Sequence, residues 1–412
     1  MPSQIYSFER YCQKVFKLNS FLDDLVDQRQ EPDINIRNIV YASLLGSSLR
    51  IKAFSTIEEE CKKGILQKRT GEISDDTFGY GLDFLSTASL QKGWVKMLKI
   101  MKRNGMLRNN DFHDWIVGVL DGIETLSSYD RHCDRCLTRT VTVNKQEVTQ
   151  YYHRMVVLII VGYEFPIPIG LEMLRPGEDV VSCGINLLKR LTKALGVRFL
   201  DLVIGDALYC TPRFFEECRA LKLKVGAVLK DNQKDLLLTA QAQLKLQEPI
   251  SCKTKEKEKM QFWDLVEVDW YTAGKNVRVL WAEREVLQHE GKGGNKKLMW
   301  VPKRKVFAFC QDTAPLPANI TYAMSGHRWD IDASLFQDMV RNWHLKHPTL
   351  HFENAYENML IIRLLAYFLF MFFLHRHINA RRKYEMISSL EMARSLYRSA
   401  CENLQPKYIL LL

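Results

Sequence analysis

Trp115-Ile116-Val117-Gly118-Val119-Leu120-Asp121-Gly122 is a continuous apolar run that stops on an acid and a glycine. A run of this length, rich in β-branched residues and closed by a turn signal, reads as a strand buried on both faces. The pattern recurs downstream, where Leu200-Asp201-Leu202-Val203-Ile204-Gly205 ends on Asp206 and continues as Ala207-Leu208-Tyr209. Burying an unpaired carboxylate costs several kcal/mol. An acid at the end of an apolar strand is therefore either a turn cap or a functional group.

Between these two runs, Leu137 to Val143 and Met155 through Ile169 to Leu174 read as further strands. Val180 to Leu195 reads as an amphipathic helix introduced by Gly177-Glu178-Asp179. After Asp206, Thr211-Pro212 opens a helix through Ala220, proline being tolerated in the first turn, and Val225 to Leu229 is a short strand ending at Lys230. Strands alternating with helices predict an α/β fold, a sheet with helices packed on its faces.

Outside this core the pattern changes twice. Residues 1–113 carry apolar side chains in helical spacing, among them Ile39, Leu44, Leu45, Leu49, Leu82, Leu85, Leu90 and Leu98, with a helix start at Asp75-Asp76-Thr77. Residues 249–312 read as all strand: Phe262 to Trp270, Val277 to Arg284 and Val306 to Cys310, around turns at Ala273-Gly274 and Gly291–Gly294. The expected organisation is a helical N-terminal domain (1–113), the first part of the core (114–248), a β insertion (249–312), a core helix (313–347) and a C-terminal helical region (348–412).

That core helix starts in His327-Arg328-Trp329-Asp330-Ile331-Asp332-Ala333-Ser334-Leu335-Phe336. If it begins near Trp329, Asp332 shares a face with Phe336, Met339 and Trp343, so an acid stands at the rim of an apolar stripe. Asp330 or Asp332 would also suit a helix N-terminus through the macrodipole.

The chain has 412 residues, 47% of them hydrophobic, enough for a large core. Lys and Arg number 58 against 48 Asp and Glu, a net charge of +10 that suits a polyanionic partner. Lys92, Lys96, Lys99, Lys102, Arg103 and Arg108 make one basic helix, and Lys292, Lys296, Lys297, Lys303, Arg304 and Lys305 a basic loop region. Phosphate contact and a solvated face both remain open for them.

Ten cysteines scattered through the chain lack the density of a disulfide-stapled scaffold, and Met1–Phe8 shows no secretory pattern, so a reducing, cytoplasmic setting is expected. Met359 to Leu374 is apolar but interrupted by Arg363 and too short to span a bilayer, so it reads as a buried helix and no membrane partner is expected. His132-Cys133-Asp134-Arg135-Cys136 is a single CxxC. A closed zinc site would need a further ligand such as His153, so the preferred reading is an unliganded turn between strands, with no zinc assigned.

Three carboxylates converging from distant parts of the chain suit two Mg²⁺ ions, a hard cation that prefers oxygen ligands. Asp121-Gly122-Ile123-Glu124, Ile204-Gly205-Asp206-Ala207-Leu208-Tyr209 and Arg328-Trp329-Asp330-Ile331-Asp332 resemble, in this order, the three acidic motifs of the IS4-type DDE transposases. The resemblance covers about residues 114–345.

It implies a ribonuclease-H-like mixed sheet flanked by helices, interrupted by a β-strand insertion before the third acid. It also implies a metal-dependent enzyme that cuts and joins DNA at the ends of an insertion sequence. Carried over by motif, Asp121, Asp206 and Asp332 are the catalytic, metal-holding acids, with two Mg²⁺ or Mn²⁺ ions. Arg328, Trp329, Tyr209 and Lys230 are the expected DNA contacts. The implied partners are double-stranded DNA (terminal inverted repeats and target) and a second copy of the chain on paired ends, in a bacterial cytoplasm and at its nucleoid.

The chain departs from the family pattern at three positions. Asp332 stands where the family has glutamate, Ser325 where it has tyrosine three residues before Arg328, and Met339 where it has lysine seven after the third acid. Tyr322, Arg341, Asp330 and Asp338 lie near but off register. A DNA-binding derivative that no longer cuts, and a nuclease of the same fold that cuts without joining, are the alternative readings.

Overall fold

The structure is a computed structural model that describes residues 3–108, 110–255, 258–290, 297–347, 351–382 and 385–402. Within them, seven helices precede the first strand: α1 (Gln4–Phe16), α2 (Leu18–Asp23), α3 (Ile36–Ser48), α4 (Phe54–Lys62), α5 (Gln67–Thr70), α6 (Asp75–Asp83) and α7 (Thr87–Arg103). Three start on a side chain that accepts from the backbone two or three residues on: Asn35 for α3, Ser74 for α6 and Ser86 for α7.

The core follows as β1 (Val117–Ser128), β2 (Leu137–Val143), β3 (Gln146–Val161), β4 (Ile167–Met173), α8 (Val180–Leu195), β5 (Leu202–Gly205), α9 (Pro212–Ala220), β6 (Lys224–Val228) and α10 (Lys234–Leu244). β1 pairs antiparallel with β3, and β3 carries β2 and β4 on its other edge. β1 pairs parallel with β5, and β5 parallel with β6. An antiparallel meander joined through its first strand to two parallel strands, with α8 and α9 as crossovers, is the ribonuclease-H-like mixed sheet expected.

The apolar run at 115–120 predicts a strand that stops at Asp121, but β1 continues through Asp121 to Ser128. What stops there is its neighbour. The last paired residue of β5 is Gly205, opposite Leu120, so Asp121 is the first residue of β1 beyond the β5 ladder.

The β insertion comprises β7 (Ser251–Lys255), β8 (Glu258–Trp270), β9 (Lys275–Glu290) and β10 (Lys297–Cys310). It extends the core sheet rather than standing apart from it, because β10 pairs antiparallel with β6 through Phe307↔Val228, Ala308↔Ala227 and Phe309↔Gly226. The result is a ten-stranded sheet. The expected turn at Gly291–Gly294, with Lys292 and Lys296, lies outside the described residues, as does the Lys297 side chain.

Arg278 on β9, 1% exposed, anchors the return from β10. It pairs with Asp264 at 2.7 Å and donates to the carbonyls of Thr313 (2.5 Å) and Leu316 (2.9 Å). The chain then forms α11 (Ala318–Gly326), a π-helical turn (Ile331–Phe336) and α12 (Gln337–Arg341).

α13 (Glu353–Phe373) is the expected buried helix, and α14 (Ser389–Glu402) closes the described chain. Asn354–Arg381 is long and apolar enough to cross a membrane, yet 94% of its most apolar window is buried inside the protein. Several of its polar groups are met by the elements around it. Asp83 Oδ1 accepts from the amides of Asn354 (3.1 Å) and Ala355 (3.2 Å) at the helix start. Asn358 donates to the carbonyls of Leu82 and Leu85, each at 2.8 Å, and Arg363 to that of His344 at 2.8 Å. Buried polar groups are tolerated where they find such partners.

Two lysines of the basic helix α7 are also engaged within the protein. Lys96 pairs with Asp24, and Lys102 donates to the carbonyls of Arg198 and Phe199.

One close approach gives a test of the junction between core and insertion. A Cβ on Gly226 would lie 2.2 Å from the ring of the buried Phe309. Gly226→Ala should therefore cost about 1–3 kcal/mol through overpacking, measured as a lower denaturation midpoint at unchanged m-value.

Candidate active site and nucleic-acid groove

Because β1 and β5 run parallel with Leu120 opposite Gly205, the next residue on each, Asp121 and Asp206, emerge side by side. Asp206 begins a short helical turn, Ala207–Tyr209, and its Oδ1 accepts from the Leu208 amide at 2.9 Å. Asp121 Oδ1 accepts from the Gly122 amide at 2.7 Å. The turn-cap reading thus holds for one oxygen of Asp206, while Asp121 lies within β1.

The third acid arrives from the π-helical turn. Arg328, 6% exposed, donates to Asp121 Oδ2 at 3.0 Å and to Asp332 Oδ2 at 3.3 Å, so one guanidinium holds the first and third acids together. Burial raises the pKa of Asp121 to about 6, with the negative fields of Asp206 and Asp332 adding to it. The Gly122 amide and Arg328 oppose that shift. Three acids distant in sequence thus share one electrostatic environment.

The nearby acids are engaged elsewhere. Asp330 is hydrogen-bonded to His327 Nδ1 at 2.6 Å, and Asp338 accepts from Asn342 at 2.6 Å and from the Trp343 indole at 3.2 Å. At two of the positions that depart from the family pattern, Ser325 is buried and donates to the Thr321 carbonyl and Met339 is buried; of the off-register residues, Tyr322 packs its ring on Phe262 of β8.

Beside the acids lies a cavity of about 590 Å³ lined by Lys230, Lys303, Arg304, Lys305, Arg328 and Trp329, among others. Lys305 has its pKa lowered by burial and then by the positive fields of Arg284, Arg328 and Lys303. Cations crowded this closely favour an anionic occupant. Trp329 is 52% exposed at the rim, and Lys230 is exposed.

One expected DNA contact is corrected. Tyr209 is fully buried, packs on Phe214 and against Gly184 and Gly205, and its hydroxyl donates to the Val180 carbonyl at 3.4 Å, so it is a core residue. Arg328 donates to Asp121 and Asp332 and also lines the groove.

Among the described residues, the cluster of metal-ligating side chains whose ligand atoms all lie within 4.8 Å of one another is a different one: Cys133, Cys136, His153 and His351. The preferred sequence reading left this CxxC unliganded. Cys133 and Cys136 suggested a site and His153 was a candidate ligand, but His351 was missed. No local spacing could have revealed it, since it lies 215 residues beyond Cys136.

No protein-family model matches the chain, and no curated protein matches it. A solved structure, the piggyBac transposase synaptic complex with hairpin DNA, is similar to it with a TM-score of 0.46 and 11% identity, covering 99% of this chain and 83% of that one.

The raised pKa of Asp121 sets a sign for stability against pH. Its folded value, about 6, lies above the ordinary 3.8, so the native state binds the extra proton between the two and loses stability as pH rises through that window. Asp121→Asn removes this penalty. The variant should gain stability relative to wild type, by a few kcal/mol at most, above pH about 6 and lose that advantage as pH falls towards about 4, followed by urea denaturation across that range.

Proposed function

We propose that this protein is a DNA transposase of an insertion sequence, of the IS4-type DDE kind, that cuts and joins phosphodiesters at element ends. The observation that carries this reading is the electrostatic meeting of Asp206 and Asp332 with Asp121, with Arg328 bonded to Asp121 and Asp332, next to a basic groove.

Asp121, Asp206 and Asp332 would hold the two divalent ions. Their oxygen donors suit Mg²⁺ or Mn²⁺, and three neighbouring carboxylates with one guanidinium bonded to two of them leave an excess of negative charge for a cation to offset. When bound, such ions supply activation of the attacking oxygen and stabilisation of the leaving one.

The chain's own groups do the rest. The paired strands β1 and β5 set Asp121 and Asp206 abreast where their ladder ends, and there both carboxylates would serve as ligands in their ionised form. Lys230 and Lys305 hold the phosphate backbone in the groove, and the exposed Trp329 offers a ring for a displaced base. The partners would be the terminal inverted repeats and target DNA, with a second copy of the chain on the paired end.

One observation favours a second reading, a DNA-binding derivative that does not cut. Arg328 occupies the space between Asp121 and Asp332, and aspartate reaches one methylene less than glutamate.

Incubation of end-containing DNA with Mg²⁺ or Mn²⁺ separates the two readings. Nicking and strand transfer should fall at least about 100-fold, or ~2.7 kcal/mol, in Asp121→Asn, Asp206→Asn and Asp332→Asn. Full activity in Asp332→Asn would remove that residue from the triad, and tight binding without nicking by the wild type would favour the second reading. For the groove, Lys230→Ala and Lys305→Ala should each weaken binding across DNA sequences and flatten the slope of log K against log salt by about 0.9. Fluorescence anisotropy over a salt series would measure it.

A further inference from the structure

The β1–β2 turn plays no part in the proposed chemistry, yet it carries the tightest group of ligand-type side chains described. Cys133-Asp134-Arg135-Cys136 closes on itself, the Cys136 amide donating to the Cys133 carbonyl at 3.0 Å and the Cys133 amide facing Cys136 Sγ at 3.4 Å. The two sulfurs are 3.7 Å apart, far beyond the ~2.05 Å of a disulfide. His153, on β3 and 4% exposed, points Nε2 at both sulfurs, 3.4 Å from each. His351, just ahead of α13, brings its Nε2 to 3.2 Å from Cys136 Sγ.

Nε2 of an imidazole offers one proton or one lone pair, so His153 can serve only one of the two sulfurs it faces equally. A central tetrahedral ion satisfies all four atoms at once. With metal–sulfur bonds of ~2.3 Å and metal–nitrogen bonds of ~2.05 Å, tetrahedral geometry sets sulfur–sulfur edges near ~3.8 Å and sulfur–nitrogen edges near ~3.5 Å. The distances found, 3.7, 3.4, 3.4 and 3.2 Å, follow those edges.

We propose that Cys133, Cys136, His153 and His351 bind one zinc ion in a closed structural site. Two thiolates with two imidazoles is a zinc donor set, and four protein ligands leave no open position for catalysis. The β2–β3 hairpin, which sets Leu137 opposite Tyr152, already brings the β1–β2 turn against β3; the ion would add the segment leading into α13, which no hairpin brings there.

A second contact runs across the same joint. Arg135, between the two cysteines, lies 3.6 Å from Glu357 of α13, which also pairs with Arg175 at 2.8 Å. On β3, His153 and Val157 are four residues apart and share a face, and Val157 is opposite Asp121. The ion would therefore clamp α13 to the sheet face that carries Asp121, roughly 13 Å along the strand from it.

The test is metal content. Full-length protein purified without a metal-affinity column from zinc-supplemented cells should carry about one zinc per chain by mass spectrometry. Cys136→Ser and His351→Ala should each lower this several-fold, while His132→Ala, beside the turn but outside the cluster, should keep it. Wild-type protein stripped of metal and titrated with Co²⁺ should develop the visible ligand-field and near-ultraviolet thiolate bands of a tetrahedral S₂N₂ site, a readout that does not depend on the variants folding. Wild-type protein that is zinc-free and gives no such cobalt spectrum overturns the proposal, as does zinc retained in both Cys136→Ser and His351→Ala. Neither result bears on the Mg²⁺-dependent chemistry proposed for the three acids.

Discussion

Three carboxylates drawn from distant parts of a chain cannot share a partly buried site without something to hold them. Here the first and third acids face a single guanidinium, that of Arg328. Burial pushes a carboxyl towards protonation and like charges at short range add to it, and the upward shift at Asp121 is that pressure incompletely relieved. The architecture around the acids serves this arrangement. Parallel pairing of β1 with β5 sets two acids abreast, and the segment after α11 brings the arginine and the third acid to them together.

The helical parts of the chain follow from the need to hold that last segment in place. Trp343, just after α12, packs on Tyr367 and Phe370 of α13, and the Arg50 guanidinium lies 3.3 Å from its ring centroid. Arg363 donates to the His344 carbonyl from within α13, in an otherwise apolar stretch. An arginine that argues against a lipid setting thus has a specific use, because it satisfies backbone left open where the chain turns from α12 towards α13. The buried residues from Ile5 to Ala400 form one continuous cluster, so the N-terminal helices and the sheet share a single core.

Much of this was legible in the sequence, for definable reasons. The strands at 117–120 and 202–205 stood out because strands buried on both faces are unbroken apolar runs, and an acid closing such a run is conspicuous. The helices at 180–195 and 212–220 announced themselves through Asp179 and Thr211-Pro212 at their starts. The choice of Asp332 over Asp330 rested on motif register, and the structure supplies a physical counterpart in the bond between Asp330 and His327.

What stayed hidden depends on contacts between distant residues. Tyr209 follows the second acid as a ligand-contacting residue would, but its ring fills the space that Gly184 and Gly205 leave open. The continuation of β1 past Asp121 is decided by β3, its antiparallel partner to Ser128. His351 becomes a neighbour of Cys136 only once α13 has docked.

The π-helical turn at Ile331–Phe336 gives the segment a further property. Single π turns interrupt α-helices at isolated points, frequently at functional sites, and each holds more residues per turn than the helix on either side. Between Arg328 and Trp343 the chain therefore carries slack, a small surplus of length over what a continuous α-helix would need to join the same two points. Slack decouples the ends. The acid's approach to β1 and the packing of Trp343 beneath Arg50 need not share one helical phase, so each end can be refined by substitution without dragging the other out of register.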